Sequence, residues 1–188
     1  MSRAALNPMC LWEIPDGYAG DRRRSLRKER IRGRAGAGRR PRYYIATMQP
    51  FDQECRERIR RHRDMRAEKR FETVERYVDL EQVSLPQKGA VLLECVSNLV
   101  ANELYSPEGA GEDCVESIRR GIRSLRSQCR ELVIVSNEVF SGGSRYEGDT
   151  ERYLRVLAQV NRMLAREADT VYEVVCGIPV CHKGEGKV

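Results

Sequence analysis

The chain has 188 residues, 33% of them charged and 40% hydrophobic, with seven cysteines and a formal net charge of +6. That composition fits one domain with a single core, and no apolar run reaches the roughly 20 residues that span a bilayer. The cysteines are odd in number, scattered and free of any C-x-x-C pair. This argues against a disulfide framework and against a zinc site, and makes a reducing cytoplasm the expected compartment.

The charge is unevenly placed. Residues 1–42 hold 12 Lys and Arg against 4 Asp and Glu, whereas the rest of the chain holds 22 against 24. Within the first segment, RRRSLRKERIRGRAGAGRR has few apolar residues and no clean period, so a disordered, loosely attached arm is expected over residues 1–42. A nucleic-acid reading would rest on that arm alone. The chain start lacks the apolar stretch of a secretory signal. The glycines of the arm do not form a P-loop, because no Gly-Lys-Ser or Gly-Lys-Thr occurs anywhere in the chain.

From residue 43 the pattern becomes regular. Tyr43, Tyr44 and Ile45 suit a buried strand, and Pro50 and Asp52 then open a helix with Asp52 as N-cap. On that helix Arg58, His62 and Arg66 lie four apart and share a face, with Arg63 beside them. An imidazole among guanidiniums is disfavoured as a cation, so His62 is expected to be mostly neutral at pH 7. A neutral imidazole next to arginines that hold a polyanion can act as a nucleophile in phosphate chemistry. The alternative is a solvated basic helix face with one exposed histidine.

Phe71–Glu75 reads as a short strand. Ala90–Cys95 is a continuous apolar run of the kind buried on both sides in a parallel sheet, and Glu94 stands at its carboxyl end. In open α/β sheets ligands bind at that edge, so Glu94 is either a contact to Mg²⁺ or its water, or a glutamate bonded to nearby backbone. Helical spacing follows over SNLVANELY and over Glu112–Cys129, with a loop between them. Leu132–Val135 is a second buried strand and runs into Ser136-Asn137-Glu138. Thr150–Ala168 is a long helix and Val171–Val175 a final strand, stopped by Gly177-Ile178-Pro179. His182 falls in the tail as an incidental residue.

Strands alternating with helices imply a mostly parallel sheet with helices on both faces and right-handed crossovers. Thr47-Met48-Gln49, Glu94 and Asn137-Glu138 are polar stations at strand ends, and with His62 they would face one crevice. The residues alone lead to a nucleotide- or phosphate-handling α/β domain.

Several motifs then occur in order: YIAT with a following Gln, RI..HR..R, LLEC.SNLVANE, V.NEV, and N..LA..AD.V..VV.GIP. Together they resemble the bifunctional adenosylcobinamide kinase / adenosylcobinamide-phosphate guanylyltransferase family of cobalamin biosynthesis, over about Tyr43 to Lys183. The resemblance implies a P-loop NTPase-like fold in a domain at 43–184. It implies GTP (or ATP for the kinase step) with Mg²⁺, adenosylcobinamide and its phosphate as substrates, and a homo-oligomer, in the family a trimer. It implies a GMP–histidine intermediate on His62 and nucleotide contacts at Thr47, Met48, Gln49, Arg63, Asp64, Met65, Arg66, Glu75 and Glu94. An inactive or regulatory GTP-binding relative is the alternative.

The chain departs from the family at its start. Where the family has a strand running into GG-x-x-S-G-K-S, this sequence has DGYAGDRRRSLRKERIRGRAGAGRR. The first strand and the P-loop are expected to be missing or replaced, which removes the phosphate cradle of a kinase. A shifted reading frame or misassigned start before residue 42, a transferase without kinase activity, and a decayed gene product are the readings; the compositional break favours the first.

Overall fold

The structure is a computed structural model that describes the backbone of residues 9–15, and residues 41–53, 56–57, 59–60, 71–139, 147–175 and 178–184. Its strands are β1 (Met9–Pro15), β2 (Arg42–Ala46), β3 (Glu72–Glu75), β4 (Ala90–Glu94), β5 (Glu131–Glu138), β6 (Thr170–Val175) and β7 (Ile178–Lys183). Among the described residues three complete helices are interleaved with them: α1 (Val96–Tyr105), α2 (Cys114–Gln128) and α3 (Asp149–Glu167). The strands form one sheet in the order β3-β2-β4-β5-β1-β6-β7. The first six are parallel and β7 alone is antiparallel. The mostly parallel α/β sheet is as expected; the three helices named here pack on one face of it.

The two faces of the sheet follow from the period of two along each strand. Tyr43 and Ile45, Val91 and Leu93, and Leu132 and Ile134 face one side. There they bury against Leu99, Ile118, Ile122, Leu125, Leu157 and Leu164 of the three helices. The alternate residues Tyr44, Leu92, Val133, Val135, Tyr172 and Val174 form a smaller cluster on the other side. Full burial of each such side chain contributes about 1.5–3 kcal/mol, so the helix-covered face dominates the core. Helical backbone begins at Gln53, one residue after Asp52, whose carbonyl accepts the Arg56 N–H at 3.0 Å.

Two expectations are corrected. Of the two alternatives for the first strand, missing or replaced, a strand is present: Met9–Pro15 lies inside the sheet between β5 and β6, paired with β5 over seven residues and with β6 over four. MCLWEIP carries Leu, Trp and Ile, which suit a strand, and its pairing partners supply a backbone neighbour on each side. Residues 9–15 therefore belong to the sheet and not to a loose arm. His182 is likewise no tail residue. It stands in β7, with its Nε2 2.8 Å from Glu173 Oε2 on β6.

Candidate functional site

The sheet topology itself selects a place for a ligand. β2 connects leftward to β3, whereas its neighbour β4 connects rightward to β5. Right-handed crossovers in opposite directions leave the sheet on opposite faces, which opens a crevice between the carboxyl ends of β2 and β4. A cleft lies there, lined by Tyr44, Ala46, Met48, Ile59, Glu75, Glu94, Cys95 and Asn98.

The register aligns the acids. Ala46 is paired with Glu75 on one side and with Glu94 on the other. The two glutamates thus stand in one row, on one face, about 10 Å apart across two strand spacings. Each accepts a hydrogen bond from a tyrosine: Tyr44 Oη donates to Glu94 Oε2 at 2.7 Å, and Tyr77 Oη to Glu75 Oε2 at 3.1 Å. The Tyr44 ring meets Phe71 edge-on, 6.2 Å between centroids and 83° between planes.

Beneath the cleft a polar lattice ties the strand ends to α1. Thr47 is fully buried; its hydroxyl donates to the Cys95 carbonyl at 2.9 Å and accepts the Cys95 N–H at 2.9 Å. Asn102 donates to the carbonyls of Thr47, at 2.8 Å, and Tyr77, at 3.0 Å. The buried Glu103 carboxylate accepts from the N–H groups of Asp79 (2.7 Å) and Ala110 (2.9 Å) and from Ser117 Oγ (3.3 Å). Further along the sheet edge, Ser97 Oγ lies 3.0 Å from Cys95 Sγ and accepts from Asn137 Nδ2 at 3.1 Å. Asn137 in turn accepts from Asn161, to which Ser136 donates at 2.6 Å.

The sequence-expected site residues separate accordingly. Met48, Glu75 and Glu94 border one cleft. Thr47 lies under it with its hydroxyl engaged by Cys95, and Gln49 turns to Ser106, Nε2 to Oγ 3.3 Å. His62, Arg63, Asp64, Met65 and Arg66 lie outside the described residues. Sequence reasoning missed Tyr44, although the alternation in Tyr43–Ala46 puts it on the face of Ala46. It also missed Asn102 and Glu103, whose burial on a helix among apolar residues is the sign of committed hydrogen bonds.

A second cleft, between the N-terminal ends of α2 and α3, is lined by Glu112, Glu151, Arg152 and Arg155 among others. Its ions are already paired, Arg152 with Glu112 at 2.6 Å and Arg155 with Glu151 at 2.7 Å. Among the described residues no group of three or more His, Cys, Asp or Glu side chains could hold a metal, and no helix is long and apolar enough to cross a membrane.

Comparison with known proteins places this geometry in context. The model of the family described as cobinamide kinase / cobinamide phosphate guanyltransferase matches residues 28–181; β1 precedes the matched stretch. The bifunctional adenosylcobalamin biosynthesis protein CobU of Escherichia coli K12 is 36% identical over 152 residues, covering 73% of this chain and 83% of that protein. Its counterpart in Salmonella typhimurium LT2 is 35% identical over 151 residues, with the same coverage. Among solved structures, a KaiC-like protein of Pyrococcus horikoshii OT3 superposes with a TM-score of 0.52 at 12% identity, over 95% of this chain and 80% of that one. That likeness concerns the fold alone.

Proposed function

The chain belongs to the cobinamide kinase / cobinamide phosphate guanyltransferase family, and from this we propose that it moves GMP from GTP to adenosylcobinamide phosphate through a GMP–histidine intermediate on His62. The observation that carries the reading is the row Glu75–Ala46–Glu94 at the switch point of the sheet, bordered by Ile59. The segment that supplies Ile59 runs on in sequence, three residues later, to His62.

In the first step a nitrogen of the neutral His62 imidazole attacks the α-phosphorus of GTP. The N–P bond forms as the bond to pyrophosphate breaks. In the second step a phosphate oxygen of the cobinamide substrate attacks the same phosphorus, the N–P bond breaks and the imidazole is released. Arg63 and Arg66 take up charge on the phosphoryl oxygens. Thr47 acts by holding the ends of β2 and β4 together, and Met48 and Gln49 lead from that clamp along the nucleotide; Asp64 and Met65 are nucleotide contacts by the family resemblance. Glu75 and Glu94 accept hydrogen bonds from donors on the ligand.

Mg²⁺ binds through one or two carboxylates, with nucleotide phosphates and water completing its shell. Glu94, a carboxylate at a parallel strand's end that lines the cleft, fits that need and would hold the ion directly or through water. When bound, the ion offsets charge on the departing pyrophosphate. The kinase step of the family is not assigned to this chain, because its sequence has no Gly-Lys-Ser or Gly-Lys-Thr to cradle a second nucleotide's phosphates. As in the family resemblance, the working unit is a homo-oligomer, a trimer by that analogy, which light scattering would measure.

The test is covalent labelling with α-³²P-GTP and Mg²⁺ beside His62→Ala. An acid-labile, alkali-stable label that the variant loses is the expected result. A folded protein that takes no label overturns the reading and leaves a GTP-binding relative without transferase activity.

A further inference from the structure

We propose that Tyr44 is a positioning residue for the transfer reaction, its hydroxyl holding the Glu94 carboxylate in the orientation that receives the nucleotide. The inference rests on the reading above and deepens it. Tyr44 and Glu94 are 50 residues apart in sequence and sit on adjacent strands, where Tyr44 is paired with Leu92, one pleat below Glu94. The ring of Tyr44 is buried in the apolar cluster of Leu92, Val133, Val135, Tyr172 and Val174. A phenylalanine would fill that space equally well, so packing does not call for the hydroxyl. Nor does strand cohesion, because β2 and β4 are already paired over five residues. The hydroxyl donates a 2.7 Å bond to Glu94 Oε2 at the wall of the cleft.

The same device recurs one strand away. Tyr77 donates to Glu75 Oε2 at 3.1 Å. Both glutamates of the row thus carry a tyrosine on one carboxylate oxygen. A glutamate side chain at a strand end has three rotatable bonds, and ordering it upon binding costs affinity. A brace formed before the ligand arrives removes part of that cost. The Tyr77 pair is exposed and its bond longer, so Tyr44 is expected to matter more.

The test measures GTP affinity with Mg²⁺ by equilibrium dialysis, and KM and kcat of GMP transfer, for wild type, Tyr44→Phe, Glu94→Ala and the double variant. Hydrogen bonds to charged groups are among the stronger ones, so Tyr44→Phe should weaken GTP binding about tenfold and raise KM with little change in kcat. In the Glu94→Ala background, Tyr44→Phe should cost nothing further, because its action runs through the carboxylate. Equal losses in both backgrounds would mean a merely structural role and overturn the proposal. So would unchanged affinity in Tyr44→Phe while Glu94→Ala weakens binding, a result that leaves the transferase reading intact. A wild-type protein that neither binds GTP nor transfers GMP would overturn both. Should Tyr44→Phe fail to fold, Tyr77→Phe against Glu75→Ala reads the same coupling with a smaller amplitude, and its absence there overturns the proposal.

Discussion

Asn102 and Thr47 lie 55 residues apart in sequence, and the side-chain amide of Asn102 donates to the Thr47 carbonyl at 2.8 Å. Its second hydrogen serves the Tyr77 carbonyl at 3.0 Å. One amide on α1 thereby fixes the backbone that leaves β2 and the backbone that leaves β3, the two segments that flank the glutamate row.

Asn102→Ala strips the donor from both carbonyls. An unsatisfied buried polar group costs about 1–3 kcal/mol, so a loss of about 3 kcal/mol in urea unfolding is expected. Asn102→Asp, which turns an acceptor toward two acceptors, should lose more. Matching denaturation midpoints for the two variants would contradict this account of the site's frame.

Gly121→Ala sets two effects against each other. Alanine in a helix interior is favoured over glycine by about 1 kcal/mol. At this position, however, a Cβ would meet Leu80 Cβ at 2.4 Å, where α2 packs on the short 3-10 turn Leu80–Gln82. Overpacking costs about 1–3 kcal/mol, and here the obstruction is the root of a buried leucine rather than a flexible end. The substitution is expected to lower the melting temperature by several degrees, where an exposed helical glycine would raise it.

The buried thiols give a pH signature. Burial, reinforced by the nearby Glu103 carboxylate, pushes Cys114 up from 9.0 to about 12. Burial likewise pushes Cys129 up to about 11, against the pull of a backbone hydrogen bond and Arg126. Alkylation of the folded protein at pH 8, mapped by peptide mass, should modify the exposed Cys181 and spare Cys114 and Cys129. A folded-state pKa above the unfolded value means that the stabilising effect is complete below pH 9 and lost as pH rises through 11 to 12. Cys114→Ala should therefore flatten the fall in stability over that range.

Leu11→Pro tests the central strand. Proline removes a ladder donor and is confined to edges or strand ends within sheets. In β1, paired on both sides, it should abolish cooperative unfolding. A soluble, natively folded variant would argue against the place of Met9–Pro15 in the sheet.

Most strands were legible because they are buried on both faces and read as unbroken apolar runs, as Val91–Leu93 and Leu132–Val135 do. The helices were legible from periodicity to within a residue or two, with a 3-10 turn at Gly111–Asp113 standing where the α2 pattern was expected to begin. β1 was hidden by the basic run behind it, which drew the whole segment into one compositional class. β7 was hidden by Pro179, read as a stop. An edge strand admits proline because one row of its N–H groups has no ladder partner. In the site, the carboxylates were visible as polar residues at strand ends, whereas Tyr44 and Asn102 gain their roles only through register and long-range contact.

The position of β1 also sets an order of assembly. Its partners β5 and β6 begin only at Glu131 and Thr170, so β1 waits for the later of them before its pairing is complete. Until then the half of the sheet that carries Glu75 and Glu94 and the half that carries the β6–β7 hairpin share no continuous hydrogen-bonded ladder. Such long-range closure is slow, and the edge of β1 that awaits β6 is exposed to foreign strands in the interval. Yield from cells should therefore depend on temperature and on chaperones more than the stability of the finished domain would suggest.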